Sequence, residues 1–202
     1  EVSACLKYGG KIFIDVPNLK EVIKLGGFGL FFHQHVSYFT INTIKKLLIK
    51  NGFKITKYYE GKPNLFVEAT KIKKVKVDKT KNKDQKILKR LSINSKTMKE
   101  KALKYFKNKN IRKIVIFGSS ALATTLVGIL NKKQRDKVKL IVDNDLEKQG
   151  KYLSGSNFQI KSPKEIKNKN FDIVFLTSHF FIKEIKKQLS QMGIPNNKIK
   201  NI

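Results

Sequence analysis

Short apolar runs alternate with amphipathic stretches along this chain, and that rhythm predicts strands alternating with helices. The opening, Glu1-Val2-Ser3-Ala4-Cys5-Leu6-Lys7-Tyr8, reads as the end of a helix closed by Gly9-Gly10. Lys11-Ile12-Phe13-Ile14-Asp15-Val16 is a brief apolar run stopped by Pro17-Asn18, the pattern of a short buried strand. Leu19 to Leu25 predicts a short helix, and Gly26-Gly27-Phe28-Gly29 a turn. Between Ile41 and Lys50 the apolar positions Ile41, Ile44, Leu47 and Leu48 share one helical face. Thr40 stands where an N-cap belongs, and Asn51-Gly52 closes the helix. Phe53 to Tyr59 and Leu65 to Thr70 read as two strands. The turn-forming Glu60-Gly61-Lys62-Pro63-Asn64 between them predicts an antiparallel pair.

The stretch from Lys71 to Asp84 is charged and weakly patterned, which marks it as the domain boundary. A long helix follows, from about Gln85 to Asn108. Lys113 to Phe117 then reads as a strand, Gly118-Ser119-Ser120 as a turn, and Ala121 to Asn131 as a helix. Val138 to Val142 and Phe171 to Thr177 read as two more strands, with a last helix from about Phe181 to Met192. Strands separated by helices predict a parallel sheet with crossover helices. The expected division is an α/β unit over 1–72, a linker and connecting helix over 73–110, and a second α/β unit over 111–202.

Composition narrows the setting. A chain of 202 residues holds one large or two modest domains. No apolar run approaches the ~20 residues of a membrane span, so no membrane partner is expected. The start lacks an initiator Met and a signal peptide, and reads as the interior of a longer protein. The single cysteine, Cys5, excludes an internal disulfide and a cysteine-rich zinc site, and a reducing cytoplasm is the expected compartment.

The net charge of +29 raises the question of nucleic acid. The positive charge is nearly all lysine, with Arg90, Arg112 and Arg135 the only arginines. Base readout favours arginine. The lysines are spread along the chain, and Lys, Asn, Ile and Phe are abundant together, as in AT-rich genomes. A solvated lysine-rich surface is therefore expected, with no specific nucleic-acid partner and only weak, salt-sensitive binding to polyanions.

The candidate chemistry lies in Phe31-Phe32-His33-Gln34-His35-Val36-Ser37-Tyr38-Phe39-Thr40, which holds two of the three histidines. Imidazole exchanges protons near neutral pH. An apolar surround would keep it neutral and ready to accept one. In an extended segment His33 and His35 would face the same way. Taken alone, the segment also reads as a structural loop held by aromatic packing. A zinc site on the two histidines would need further ligands, and only Asp15 and Cys5 are near in sequence. In the second unit, Gly118-Ser119-Ser120-Ala121 follows a strand and opens a helix, where backbone N–H groups can meet a phosphate. It lacks the other glycines of a dinucleotide fingerprint. Asp143 ends the next strand, where a ribose-binding acid would sit or where a carboxylate would cap the strand. Lys148-Gln149-Gly150 and Gly155 read as a turn or as a loop facing phosphates. His179 follows the last predicted strand.

Two motifs together carry a resemblance. Gly9 to Asn18 resembles the Gly-Gly-x-x-x-x-(Glu/Asp)-x-Pro-Asn region at the fifth strand of class I S-adenosylmethionine-dependent methyltransferases. Phe32 to Thr40 is similar to the His-Glu-His-x-Ser-Tyr-Phe-Ser motif of the methyltransferases that act on carbon in nucleotide-linked keto-sugars. Phe117-Gly118-Ser119-Ser120, with Thr124-Thr125-Leu126 and the run Val142 to Gly155, resembles that family's C-terminal domain. The chain departs from the pattern at Phe32, where the family has tyrosine, and at Gln34, where it has glutamate. It departs again at Gly61-Lys62-Pro63-Asn64, in place of a Gly-Gly-Ser element.

The resemblance implies the second half of a class I methyltransferase sheet followed by a Rossmann-like C-terminal domain. It implies S-adenosylmethionine as cofactor, with the cofactor loop and a cysteine-rich zinc domain upstream of Glu1. It implies a nucleotide-sugar substrate, His35 as the base that removes a proton beside a ketone, and His33 in support. Ser37 and Tyr38 would line the same pocket, while Gly118, Ser119, Asp143 and Lys148 would contact the substrate. Two alternatives stand beside it: a non-catalytic nucleotide or nucleotide-sugar binding module, and, further off, a basic nucleic-acid-binding protein.

Overall fold

The computed structural model describes residues 2–24, 26–27, 29, 31, 35–62, 64–73, 85–168, 170–178 and 180–201. The chain forms two compact units. One draws on 1–27 and 31–95, the other on 28–30 and 96–202.

The first unit runs α1 (Val2–Cys5), β1 (Lys11–Pro17), α2 (Leu19–Lys24), α3 (Ile41–Lys50), β2 (Phe53–Glu60) and β3 (Asn64–Lys71). Its sheet has the order β1-β3-β2, with both pairings antiparallel. The strand that comes last in sequence thus lies between the other two. Asp15 on β1 and Tyr59 on β2 both stand opposite Phe66 on β3, and a register shift between Ile55 and Lys57 leaves Thr56 as an extra residue.

One face of this sheet is a core. Leu65, Val67 and Ala69 of β3 pack with Phe53 against Ile44 and Leu48 of α3. Thr40 starts that helix as expected. Its side chain accepts the Thr43 N–H, and the Thr43 hydroxyl accepts the Thr40 N–H. Leu47, expected on the buried face, is exposed. At 3.6 residues per turn, Ile41 and Leu48 lie to one side of Ile44, and Leu47 lies about 60° to the other.

Helix α4 (Gln85–Lys107) gives its first half to this unit and its second half to the next. The second unit continues with β4 (Ile114–Phe117), α5 (Ala121–Ile129), α6 (Lys132–Arg135), β5 (Val138–Val142) and β6 (Ile160–Lys161). A 3₁₀ turn (Pro163–Asn168), β7 (Ile173–Leu176), α7 (Ile182–Gln191), a second 3₁₀ turn (Asn196–Lys198) and β8 (Ile199–Asn201) complete it. All five strands are parallel, in the order β6-β5-β4-β7-β8.

This is a mixed α/β fold with a Rossmann-like parallel sheet. Every residue of β4 and β7 is buried, as a sheet covered on both faces requires. Ile114 and Ile116 join Phe106, Leu122 and Leu126 on one side. Val115 and Phe117 join Ile166, Ile185 and Leu189 on the other.

The expected strands and helices are present, with β1, β2 and β3 running one residue further than expected at one or both ends and β4, β7 and α7 falling short. The helix expected from Ala121 to Asn131 stops at Ile129. Asn131 instead caps α6, its side chain accepting the Gln134 N–H. Strands β6 and β8 were not anticipated, because two or three residues leave no periodic pattern. Among the described residues, no helix is long and apolar enough to cross a membrane.

Candidate functional sites

In the first unit, Asn18 organises the approach to the histidine segment. It is buried at the end of β1. Its Nδ2 donates to the Gly61 carbonyl at 3.2 Å, and its Oδ1 accepts the Lys20 N–H at 3.1 Å. The chain beside it pairs with the segment that follows His35. Phe39 N–H donates to the Pro17 carbonyl, and Leu19 N–H donates to the Phe39 carbonyl at 2.9 Å. The strand end, the β2–β3 turn and the entry to α3 are therefore tied at one residue. In the sequence Pro17-Asn18 reads only as a strand stop. A buriable asparagine directly after that proline was the available signal.

The structure brings His35 and Tyr38 together. Their rings meet edge-on at 5.9 Å, and Tyr38 meets Phe31 at 4.9 Å in the same manner. His35 and Ser37 are exposed, and Tyr38 is half-buried. The apolar enclosure expected around the imidazole is thus not built by the described residues. His33, with Phe32 and Gln34, lies outside them. Among the described residues, no group of three His, Cys, Asp or Glu side chains could hold a metal ion.

In the second unit, the ends of β4, β5 and β7 form a closed network. Gly118 takes φ +104°, a conformation that favours glycine, and a Cβ there would lie 3.0 Å from Thr177 Oγ1. Asp143 Oδ2 accepts the Ser119 N–H at 2.7 Å and the Ser119 hydroxyl at 2.6 Å, and its Oδ1 accepts the Asp145 N–H at 3.0 Å. The Ser120 hydroxyl donates to the Thr177 carbonyl at 2.7 Å. The buried Thr177 hydroxyl donates back towards Gly118 O, 2.6 Å away.

Burial pushes the Asp143 carboxyl up. The Ser119 hydroxyl, the N–H groups of Asp145 and Ser119, and the charge of Lys148 together outweigh that and hold it below the usual aspartate range. Ser119 and Asp143 thus meet between β4 and β5, while Gly118 and Ser120 bond Thr177 across the β4–β7 boundary where the strand order reverses, the usual ligand crevice of such sheets. Lys148 stands apart, exposed and paired with Asp145 at 3.2 Å. His179 lies outside the described residues.

A family model described as C2185-like, N-terminal matches residues 110–200, less than half of the chain and nearly all of the second unit's sheet. The chain is also similar to the C-methyltransferase NovU of Streptomyces niveus, at 37% identity over 54 residues. That stretch is 27% of this chain and 13% of NovU, so the similarity spans a small part of that protein's length.

Proposed function

We propose that this chain is part of a methyltransferase that alkylates a carbon beside the ketone of a nucleotide-linked sugar, with His35 as general base. The observation that carries the reading is the similarity to a protein named as a C-methyltransferase. The two motifs around Gly9–Asn18 and Phe32–Thr40 support it. So does the β1-β3-β2 order, which suits the antiparallel end of a class I methyltransferase sheet.

The chemistry assigned to this chain is a proton transfer. The His35 imidazole accepts the proton from the carbon next to the ketone, and the electron pair left behind delocalises into the carbonyl as an enolate. Tyr38 orients the imidazole through its ring contact. His33 and Ser37 contact the sugar in this reading. In the second unit, Gly118 and Ser119 meet the nucleotide, Asp143 holds their turn, and Lys148 offers charge to the phosphates.

S-adenosylmethionine would supply the electrophilic methyl group. Among the described residues of the first unit, no glycine-rich turn follows a parallel strand into a helix. None of them therefore forms a loop that would hold this cofactor.

A second reading draws on the family model that covers the second unit alone. In it, that unit binds a nucleotide or nucleotide-sugar without catalysis. The discriminating assay offers the complete enzyme a nucleotide-linked keto-sugar and S-adenosylmethionine labelled in its methyl group. The label is expected on the carbon beside the ketone. Sugar binding with no label transfer would favour the second reading.

A further inference from the structure

Among the described residues of the first unit, Asn18 and Thr40 are the buried polar side chains. Thr40 is accounted for by the cap of α3. Asn18 caps the short helix α2. Its Oδ1 accepts the Lys20 N–H, and its carbonyl accepts the N–H groups of Glu21 and Val22, each at 3.1 Å. Capping needs only a side-chain oxygen, which serine, threonine or aspartate supplies as well. The amide nitrogen is left over by that role. It donates to the Gly61 carbonyl, 43 residues away in sequence, at 3.2 Å. The turn is drawn tight there, since a Cβ on Gly61 would stand 2.9 Å from Tyr59 Cε1 and 3.1 Å from the Asn64 carbonyl oxygen. A second tie between the same segments, Lys20 to Glu60 at 2.7 Å, is an ion pair open to solvent, a kind that contributes little. The buried amide bond is therefore the one that fixes residues 17–19 against the β2–β3 turn.

That backbone carries the histidine segment. The Phe39 N–H donates to the Pro17 carbonyl at 3.3 Å, and the Leu19 N–H donates to the Phe39 carbonyl at 2.9 Å, so Phe39 is held from both sides of Asn18. Tyr38 is the next residue back, and its ring meets His35 at 5.9 Å and Phe31 at 4.9 Å. We infer that Asn18 is a positioning residue for the proton transfer assigned to His35: its amide donor sets, through Phe39 and Tyr38, where the imidazole stands. This role rests on the methyltransferase reading with His35 as base. A base works only within hydrogen-bond reach of the proton it takes. A misplacement of about 1 Å can cost about 10²-fold in rate.

The test uses two variants of the complete enzyme that keep the helix cap and lose the donor, Asn18→Asp and Asn18→Ser. Each is assayed beside wild type and His35→Ala for deuterium uptake at the carbon beside the ketone, for kcat and KM, and for folding by circular dichroism. At neutral pH both Asn18 variants are expected to fold, to lose about 10²-fold in exchange rate and kcat, and to keep KM within about threefold. Asn18→Asp carries a further signature. Its ionised carboxylate turns an acceptor toward the Gly61 carbonyl, whereas the protonated acid donates to it. Burial favours the neutral acid, so lowering the pH to about 5 should bring its rate back towards that of wild type at the same pH, and Asn18→Ser should not recover. Should the ionised carboxylate unfold the protein, Asn18→Ser carries the comparison at neutral pH. Folded variants that exchange at the wild-type rate, or a loss confined to KM, would overturn the role and leave Asn18 a helix cap. A loss in Asn18→Asp that is the same at both pH values would overturn it too. Full exchange by His35→Ala would remove the base itself, whereas loss in His35→Ala with full activity in both Asn18 variants would remove only the positioning role.

Discussion

Asp143 and Ser119 are joined twice through one carboxylate oxygen, by the Ser119 N–H at 2.7 Å and its hydroxyl at 2.6 Å. That oxygen fixes the end of β5 to the turn after β4. It also places a negative charge where the N-terminus of α5 would otherwise attract an anion. The turn is therefore built around the protein's own carboxylate. A nucleotide docking at this end of the sheet would meet a rim already shaped from within.

Replacing Asp143 by Asn should expose the value of this link. The amide can offer one oxygen, but its NH₂ then faces a backbone donor, either at Ser119 or at Asp145. A loss of about 0.5–1.5 kcal/mol is expected in urea denaturation, the net worth of a hydrogen bond whose donor is at most half-buried. The pH dependence follows from the lowered carboxyl. Its contribution is complete above the ordinary aspartate value of about 3.9 and is lost as pH falls through the lower folded value. Wild type should therefore lose stability on acidification more steeply than Asp143→Asn. Parallel acid limbs for the two proteins would show that the carboxylate carries no such linkage.

The cap at Thr40 gives a second prediction, in the first unit. Thr40→Ala removes the oxygen that accepts the Thr43 N–H at 3.1 Å and should cost about 1 kcal/mol. Thr43→Ala removes the reciprocal bond to the Thr40 N–H. Because the two bonds form one box, the double variant should lose less than the sum of the singles. Strict additivity in equilibrium unfolding would contradict a cooperative cap.

Much of the fold was legible because its signals are local. Apolar runs marked β4, β7 and, around Lys139, β5, and Thr40 marked the start of α3. The antiparallel hairpin followed from the turn residues 60–64. Strand order was not legible. Nothing local says that β3 inserts between β1 and β2, and β6 and β8 are too short to leave a pattern. At the candidate sites, residue type was legible and environment was not. The sequence placed Asp143 at a strand end, but the partners that occupy its oxygens come from 24 residues away and from Asp145. The aromatic neighbours of His35 suggested an apolar enclosure. Pairing of Phe39 with the end of β1 instead leaves His35 at the surface, with Tyr38 at its edge.

His35 as the base is the central assignment, and hydrogen exchange reads that role directly. The complete enzyme is incubated in deuterium oxide with a nucleotide-linked keto-sugar, and the carbon beside the ketone is followed by NMR. Wild type should wash deuterium into that position. His35→Ala should not, and its turnover should fall about 10²–10⁴-fold, with substrate affinity changed far less. A His35→Ala enzyme that exchanges the proton at the wild-type rate would contradict the assignment.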